Sequence, residues 1–313
     1  MRAIEKILLL LDQQPPAPEL IDKITLLARK FGARVELFES CYSRPLVSSH
    51  LFSSPEGIEK AKHGYLRGEE RRLQQVADQL VELGVDASTD VCWEVDTEQG
   101  VLTKVERYQP DLVVKNCRFH HRLAEYLFGS LDWQLIRHCP VPLMLIRPQP
   151  WKTSPVVLAA LDPLQDKHHP VMLDDEVLQS AESFVEHIGG ILHMFHAYHT
   201  LPTSVIFDET LMLNYEDLRS RLADEHRQAI TELLNGHGLA KAEPVLHLAH
   251  GEVNKELPKY AQQVDADLVV LGGVDRNTAD RLFSGSTTES VVDHLQADLL
   301  VVRAPLQQER RRH

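Results

Sequence analysis

A chain of 313 residues, 43% hydrophobic and 25% charged, is long enough for two α/β domains of ordinary size and apolar enough to give each its own core. Its formal net charge of −13 excludes the Lys/Arg-rich footprint on which nonspecific nucleic-acid binding rests. No run approaches the ~18 uninterrupted apolar residues of a membrane span, and Cys41, Cys92, Cys117 and Cys139 form no CxxC or CxxxH spacing that would suggest zinc or a redox pair.

The N-terminal run ILLLL is too short, and too closely flanked by Glu5 and Asp12, for a signal peptide, so a cytoplasmic protein is expected. Ile7 to Leu11 reads instead as a first strand buried on both faces, ending in Asp12. After the loop QQPPAP, apolar residues at Leu20, Ile21, Ile24, Leu27 and Ala28 have helical spacing, and Gly32 stops the helix. Val35 to Tyr42 is a second strand. Residues 43–64 are Ser/Pro-rich and poorly periodic and read as a long connection. A charge-dense helix is predicted from Leu66 to Leu83, its apolar stripe assigned to core packing, and Val91 and Trp93 mark a third strand. Gly100 to Tyr108 is a short helix before a strand at Leu112.

Pro148, Pro150, Trp151 and Pro155 make a linker, and the pattern restarts. Val156 to Leu161 is a strand ending in Asp162. A helix follows from about Glu176 to His187, a strand from Ile191 to Ala197, and a second long connection over residues 199–215. Helices are predicted from about Glu216 to Leu234 and Glu252 to Val264, with a strand at Leu246 and Leu248 between them. The last unit runs from a strand at Leu268, through a glycine loop and a helix starting at Gly285-Ser286, to a strand over Asp298 to Arg303. The LVV triplets at Leu112 and Leu268 are separated by the same interval as the Gly-Ser pairs at Gly129 and Gly285, so one unit occurs twice. Domains of 1–150 and 151–307 are expected, with a basic tail at 308–313. Alternating buried-type strands and helices imply parallel sheets with helices on both faces. Ligands in such sheets sit at the carboxyl ends of the strands, where strand order reverses.

A first strand ending in Asp, with a later strand followed by Gly-x2-Gly-x9-Gly-Ser/Thr, resembles the universal stress protein family. The layout is that of its tandem members, to which the stretch LDWQLIRHCPVPLMLIRPQPW is especially similar. The resemblance implies two tandem, open, five-stranded parallel sheets of order 3-2-1-4-5, adenine-nucleotide alpha-hydrolase-like. It also implies an ATP or other adenine-nucleotide site at the carboxyl edge, with Mg²⁺, and pairing of domains through their last strands, with a homodimer as a further association.

In the second half the corresponding residues are Asp162, Gly272, Gly273, Asp275, Gly285, Ser286 and Thr287. Glycines let the backbone approach phosphate oxygens, and a helix start adds N–H donors and partial positive charge. Asp275, however, stands where the family has its second glycine. At ~4 Å and an effective dielectric of ~20 its charge would repel an anion by about 4 kcal/mol unless it faces solvent or a Mg²⁺. In the first half Asn116 and Phe119 replace both leading glycines, so a family-type ATP site is not expected there. Lys115, Arg118, His120, His121 and Arg122 make a local basic cluster, read as a solvated loop face with anion capture as the alternative. His168, His169, His193, His196, His199 and Asp162 converge toward the carboxyl edge, but no two of the histidines have a metal-ligand spacing on one regular face, so no metal ligand is assigned.

No nucleophile–base pair, HxGH, SGGxDS or Walker motif occurs, so no catalytic residue is assigned. The expected function is a cytoplasmic stress-response sensor or adaptor with a degenerate nucleotide or anion site in the second domain. The alternative is a weak metal-dependent ATPase or a protein binding a small molecule such as a lipid or nucleotide-sugar.

Overall fold

The computed structural model describes residues 3–48, 55–117, 119–120, 125–126, 130–164, 172–198, 215–237, 245–273 and 294–303. The chain divides into two compact units, Arg2–Pro150 and Trp151–His313. In the first, β1 (Lys6–Leu10), α1 (Pro18–Phe31), β2 (Arg34–Cys41) and the short α2 (Arg44–Ser48) lead to the long α3 (Pro55–Glu82). Then follow β3 (Ala87–Trp93), α4 (Thr97–Tyr108), β4 (Leu112–Asn116), the two-residue strands β5 (Phe119–His120) and β6 (Glu125–Tyr126), α5 (Ser130–His138) and β7 (Leu143–Ile146). The main strands are all parallel in the order β3-β2-β1-β4-β7, the expected 3-2-1-4-5.

The second unit contains β8 (Val156–Ala160), α6 (Met172–Ile188), β9 (Ile191–Tyr198), α7 (Tyr215–Gly236), β10 (Val245–His250), α8 (Val253–Gln263), β11 (Leu268–Gly273) and β12 (Asp298–Arg303). Its order, β10-β9-β8-β11-β12, is the same. The central strands are apolar because helices cover both faces: Ile7 to Leu10 in the first unit and Val157 to Ala159 and Leu268 to Val270 in the second are buried. One side-chain device recurs in both units. Asp111 accepts from the N–H groups of Glu5 and Lys6 at 2.9 Å, pinning the start of β1. Asp267 does the same for Val156 at 2.8 Å and Lys152 at 3.1 Å at the start of β8.

Helix ends follow from local chemistry. Gly32 closes α1 at φ 71°, a left-handed conformation that glycine adopts without Cβ strain. Asp96 caps α4 by accepting from the N–H groups of Glu98 and Gln99.

Residues 43–64 are not the long connection expected from sequence. They hold α2 and the first turns of α3, which begins eleven residues before the predicted Leu66. The half-buried stripe of α3 continues backward from Leu73 through Arg72, Glu69, Leu66, Tyr65, Lys62, Ala61 and Ile58. It is helical in spacing but mixes charged with apolar residues, which blurs the apolar period. Helix α6 likewise begins at Met172, before the expected Glu176. The connection over 199–214 and the basic tail lie outside the described residues.

Candidate functional site

Strand order reverses between β1 and β4 in the first unit and between β8 and β11 in the second, so each has one switch point at its carboxyl edge. In the first unit that edge holds a crevice of about 590 Å³. Its walls come from the β1–α1 loop (Asp12 to Ala17), the end of β2 (Phe38 to Tyr42), the start of α4, and Lys115 to Cys117 after β4.

Glu39 lies on this wall although only 5% exposed. Arg72 of α3 donates to its Oε2, and the same guanidinium donates through Nε to Glu69 at 2.9 Å. Burial pushes the Glu39 carboxyl up to about 7 against the opposing pull of Arg72. Cys41, two residues on, is pushed up to about 12 by burial and then by Glu39, which makes it an inert thiol. Across the crevice Lys115 is not part of a solvated basic face. Its ammonium lies 2.5 Å from Oδ1 of Asp132, a fully buried residue in the first turn of α5. The side chains of Arg118, His120, His121 and Arg122 fall outside the described residues.

Helix α3 closes one side of the mouth. Gln13 Nε2 donates to the Tyr65 hydroxyl at 2.5 Å. The Tyr65 ring meets Trp93 edge-on at 5.9 Å, Tyr42 meets the same indole at 5.7 Å, and the Lys62 ammonium stands 5.2 Å from its centroid. Sequence reasoning missed Glu39, Arg72 and Tyr65. The one readable hint was a charged residue between Leu37 and Cys41 on an otherwise apolar strand face.

In the second unit Val270 pairs with Ala159, so Gly272 and Gly273 leave the β8 ladder at the level where Leu161 and Asp162 leave β8. Asp162 is half-exposed, its side chain 48% accessible, and its N–H donates to Asp174 Oδ1 at 3.0 Å. Burial raises the Asp174 carboxyl to about 6. A Cβ on Gly272 would stand 2.7 Å from the Leu173 methyl Cδ2, and one on Gly273 2.8 Å from Val301 Cγ1. A side chain at either position would press these neighbours aside, so packing favours glycine at both whether or not a ligand binds. Asp275, Gly285, Ser286 and Thr287 lie outside the described residues.

Two of the histidines, His196 and His226, meet each other. His196 Nδ1 donates to the Leu161 carbonyl at 2.8 Å, so its Nε2 accepts from His226 Nδ1 on α7 at 2.7 Å. Asp162 Oδ1 is 3.8 Å from His196 Nδ1. His193 bonds the Tyr260 hydroxyl at 3.0 Å, and His247 stacks on that ring. Burial lowers all four imidazoles, with His196 adding to the effect on His226. Among the described residues no group of three or more His, Cys, Asp or Glu is placed to hold a metal ion. His168, His169 and His199 fall outside them.

The same sheet topology occurs in both units, and one known family matches a segment of each. The model of the universal stress protein family covers residues 3–147 and again 173–303. The chain belongs to the universal stress protein family. It is a tandem member. Universal stress protein E of Salmonella typhi is 25% identical over 309 residues, spanning 97% of this chain and 95% of that protein. The Escherichia coli K12 protein of the same name is 24% identical over the same span. A functionally unknown protein from Pseudomonas aeruginosa PAO1 superposes with a TM-score of 0.72 at 20% identity, covering 96% of this chain and 93% of its own. A universal stress protein from Archaeoglobus fulgidus gives 0.65 at 17%, covering 97% and 100%. These two likenesses establish the fold.

Proposed function

We propose that this tandem universal stress protein is a cytoplasmic stress-response sensor and adaptor, without catalytic activity of its own, that reads an adenine nucleotide or related anion in its second domain. The observation that supports this reading most is the half-exposed Asp162 at the end of β8, level with Gly272-Gly273 at the end of β11. Asp162 would hold the nucleoside end. Gly273, Gly285, Ser286 and Thr287 would present N–H and hydroxyl donors to ribose and phosphates, as the retained spacing suggests. The described part of this edge is acidic, with Asp162 and Asp174 side by side, and Asp275 adds a further carboxylate in sequence. Such a site fits a nucleotide whose phosphates carry Mg²⁺, with Asp275, by its position in the motif, as the carboxylate to meet that ion. Leu173 against Gly272 sets the size limit on that side.

The test is thermal unfolding of the full chain with ATP, with and without Mg²⁺. At a hundred-fold excess over Kd, binding to the folded state adds about 2.7 kcal/mol. A rise that requires Mg²⁺ and is lost in Ser286→Ala supports the sensor. Steady phosphate release abolished by Ser286→Ala would instead favour a weak ATPase, and no rise under either condition ends the nucleotide reading.

A further inference from the structure

We infer that α7 is the element through which the second-domain site is set and read: its inward histidines hold the Leu161–Asp162 peptide, and with it the direction in which Asp162 meets a ligand. His226 and His196 act here as positioning residues. The link itself is a matter of geometry, and its consequence for a ligand rests on the proposed nucleotide site.

The peptide between Leu161 and Asp162 follows the last rung of the β8–β9 ladder, in which the Leu161 N–H donates to the Phe195 carbonyl at 2.9 Å. Side chains take both of its polar groups. Its carbonyl accepts from His196 Nδ1 at 2.8 Å, and its N–H donates to Asp174 Oδ1 at 3.0 Å. A peptide unit is planar, so bonds on both of its edges fix that plane and the direction in which the Asp162 side chain leaves the strand.

Both holders lead to α7. A carbonyl only accepts, so neutral His196 carries its proton on Nδ1 and accepts at Nε2 from His226 Nδ1, 2.7 Å away. Burial lowers both imidazoles, which keeps them neutral at neutral pH, as this series of bonds needs. Tyr198 stacks on the His226 ring at 5.1 Å and holds its plane. On the N–H side, Asp174 adjoins Asp175, which accepts from His237 Nε2 at 2.8 Å. His226 in α7 and His237 just after it bracket Ile230 and Leu234, both buried on the same helix face. His196 is only 1% exposed, so a shift of α7 that withdrew His226 would leave a buried nitrogen without its donor.

The first unit carries a tie at the corresponding place. Leu10 pairs with Phe38 and Ala160 with Phe195, so Glu39 and His196 each stand one residue beyond the ladder. Each reaches the long helix of its own unit, Glu39 through Arg72 on α3 and His196 through His226 on α7. A carboxylate only accepts, whereas an imidazole accepts on one side and donates on the other. In the second unit that property carries the tie onward, from the helix through β9 to the end of β8.

The experiment is amide hydrogen exchange, followed by NMR on the full chain, in the parent and two variants. His226→Phe keeps a ring beside Tyr198 without a donor, and His226→Asn restores an N–H donor near the place of Nδ1. The exchange rate of the Asp162 amide, taken as a ratio to that of Leu158 in β8, is expected to rise at least about tenfold in His226→Phe and to return toward the parent value in His226→Asn. A loss of stability alone speeds both amides and does not raise the ratio. ATP with Mg²⁺ is expected to bind about tenfold more weakly to His226→Phe than to the parent or to His226→Asn, and by reciprocity to slow exchange along α7 in the parent. The inference is overturned if the ratio does not rise in His226→Phe, or if asparagine restores it no better than phenylalanine. A parent chain that binds no ATP ends the nucleotide reading instead, and the ratio of amide rates still decides the link.

Discussion

The ammonium of Lys115 lies 2.5 Å from the carboxylate of Asp132, and Asp132 is fully buried. This pair joins the end of β4 to the first turn of α5. Removing one partner strands the other charge in a low-dielectric interior. Lys115→Met is therefore expected to destabilise the first domain by about 3 kcal/mol, while Lys115→Met/Asp132→Leu recovers most of the loss. Urea unfolding of the two variants beside the parent chain checks this.

Glu39 makes the first domain sensitive to pH in one direction. Its carboxyl is raised from 4.5 to about 7, so the folded state holds its proton longer than the unfolded state does. The contribution is fully present below pH 4.5 and is lost as pH rises through 7, with a size on the order of 3 kcal/mol. The groups facing it are Arg72 and Glu69 from α3, Asp12 from the β1–α1 loop and Cys41 on its own strand. Glu39→Gln, neutral at every pH, should flatten the first domain's unfolding midpoint between pH 5 and 8. A slope that persists unchanged in the variant assigns it to another group.

The buried histidines of the second domain act in the direction opposite to Glu39, and opposite to Asp174, whose carboxyl is raised by burial to about 6. His193, His196, His226 and His247 are held below their ordinary 6.5 by burial, so their contribution is present above that pH and lost as pH falls. His226→Ala also leaves the buried Nε2 of His196 without its donor, at a cost of about 1–3 kcal/mol. Hydrogen exchange of β9 and α7 at pH 7.5 and 5.5 would show protection falling with acid in the parent chain and already reduced in the variant.

Gly190, between α6 and β9, has φ 146°, and a Cβ there would stand 2.3 Å from the Pro155 carbonyl oxygen. Gly32 has φ 71° with nothing within 4 Å of its would-be Cβ. Gly190→Ala should cost the second domain more than Gly32→Ala costs the first, by about 1–3 kcal/mol, because clash adds to strain. Comparing thermal unfolding of the two variants decides it.

Strand identity and the duplication were legible because buried parallel strands write themselves as short apolar runs, Ile7 to Leu10 and Leu299 to Val302 among them. The switch points followed from strand order. Helix α3 was not legible in its first turns, because its half-buried face mixes Ile58, Ala61, Tyr65 and Leu66 with Lys62, Glu69 and Arg72, after the Ser/Pro-rich run that reads as a connection. For the same reason the first-domain crevice was invisible. Its wall depends on Glu39 meeting Arg72 across 33 residues, a pairing no local pattern records. Lys115 read as one member of a basic loop because its partner, Asp132, sits on the next helix.

The central claim is that the second domain alone takes the nucleotide. Titration calorimetry of the full chain with ATP and Mg²⁺ tests it most directly. One mole bound per mole of chain, abolished by Ser286→Ala and untouched by Asp12→Asn, is the predicted result. Two moles per chain, or binding lost through Asp12→Asn and kept in Ser286→Ala, would contradict it.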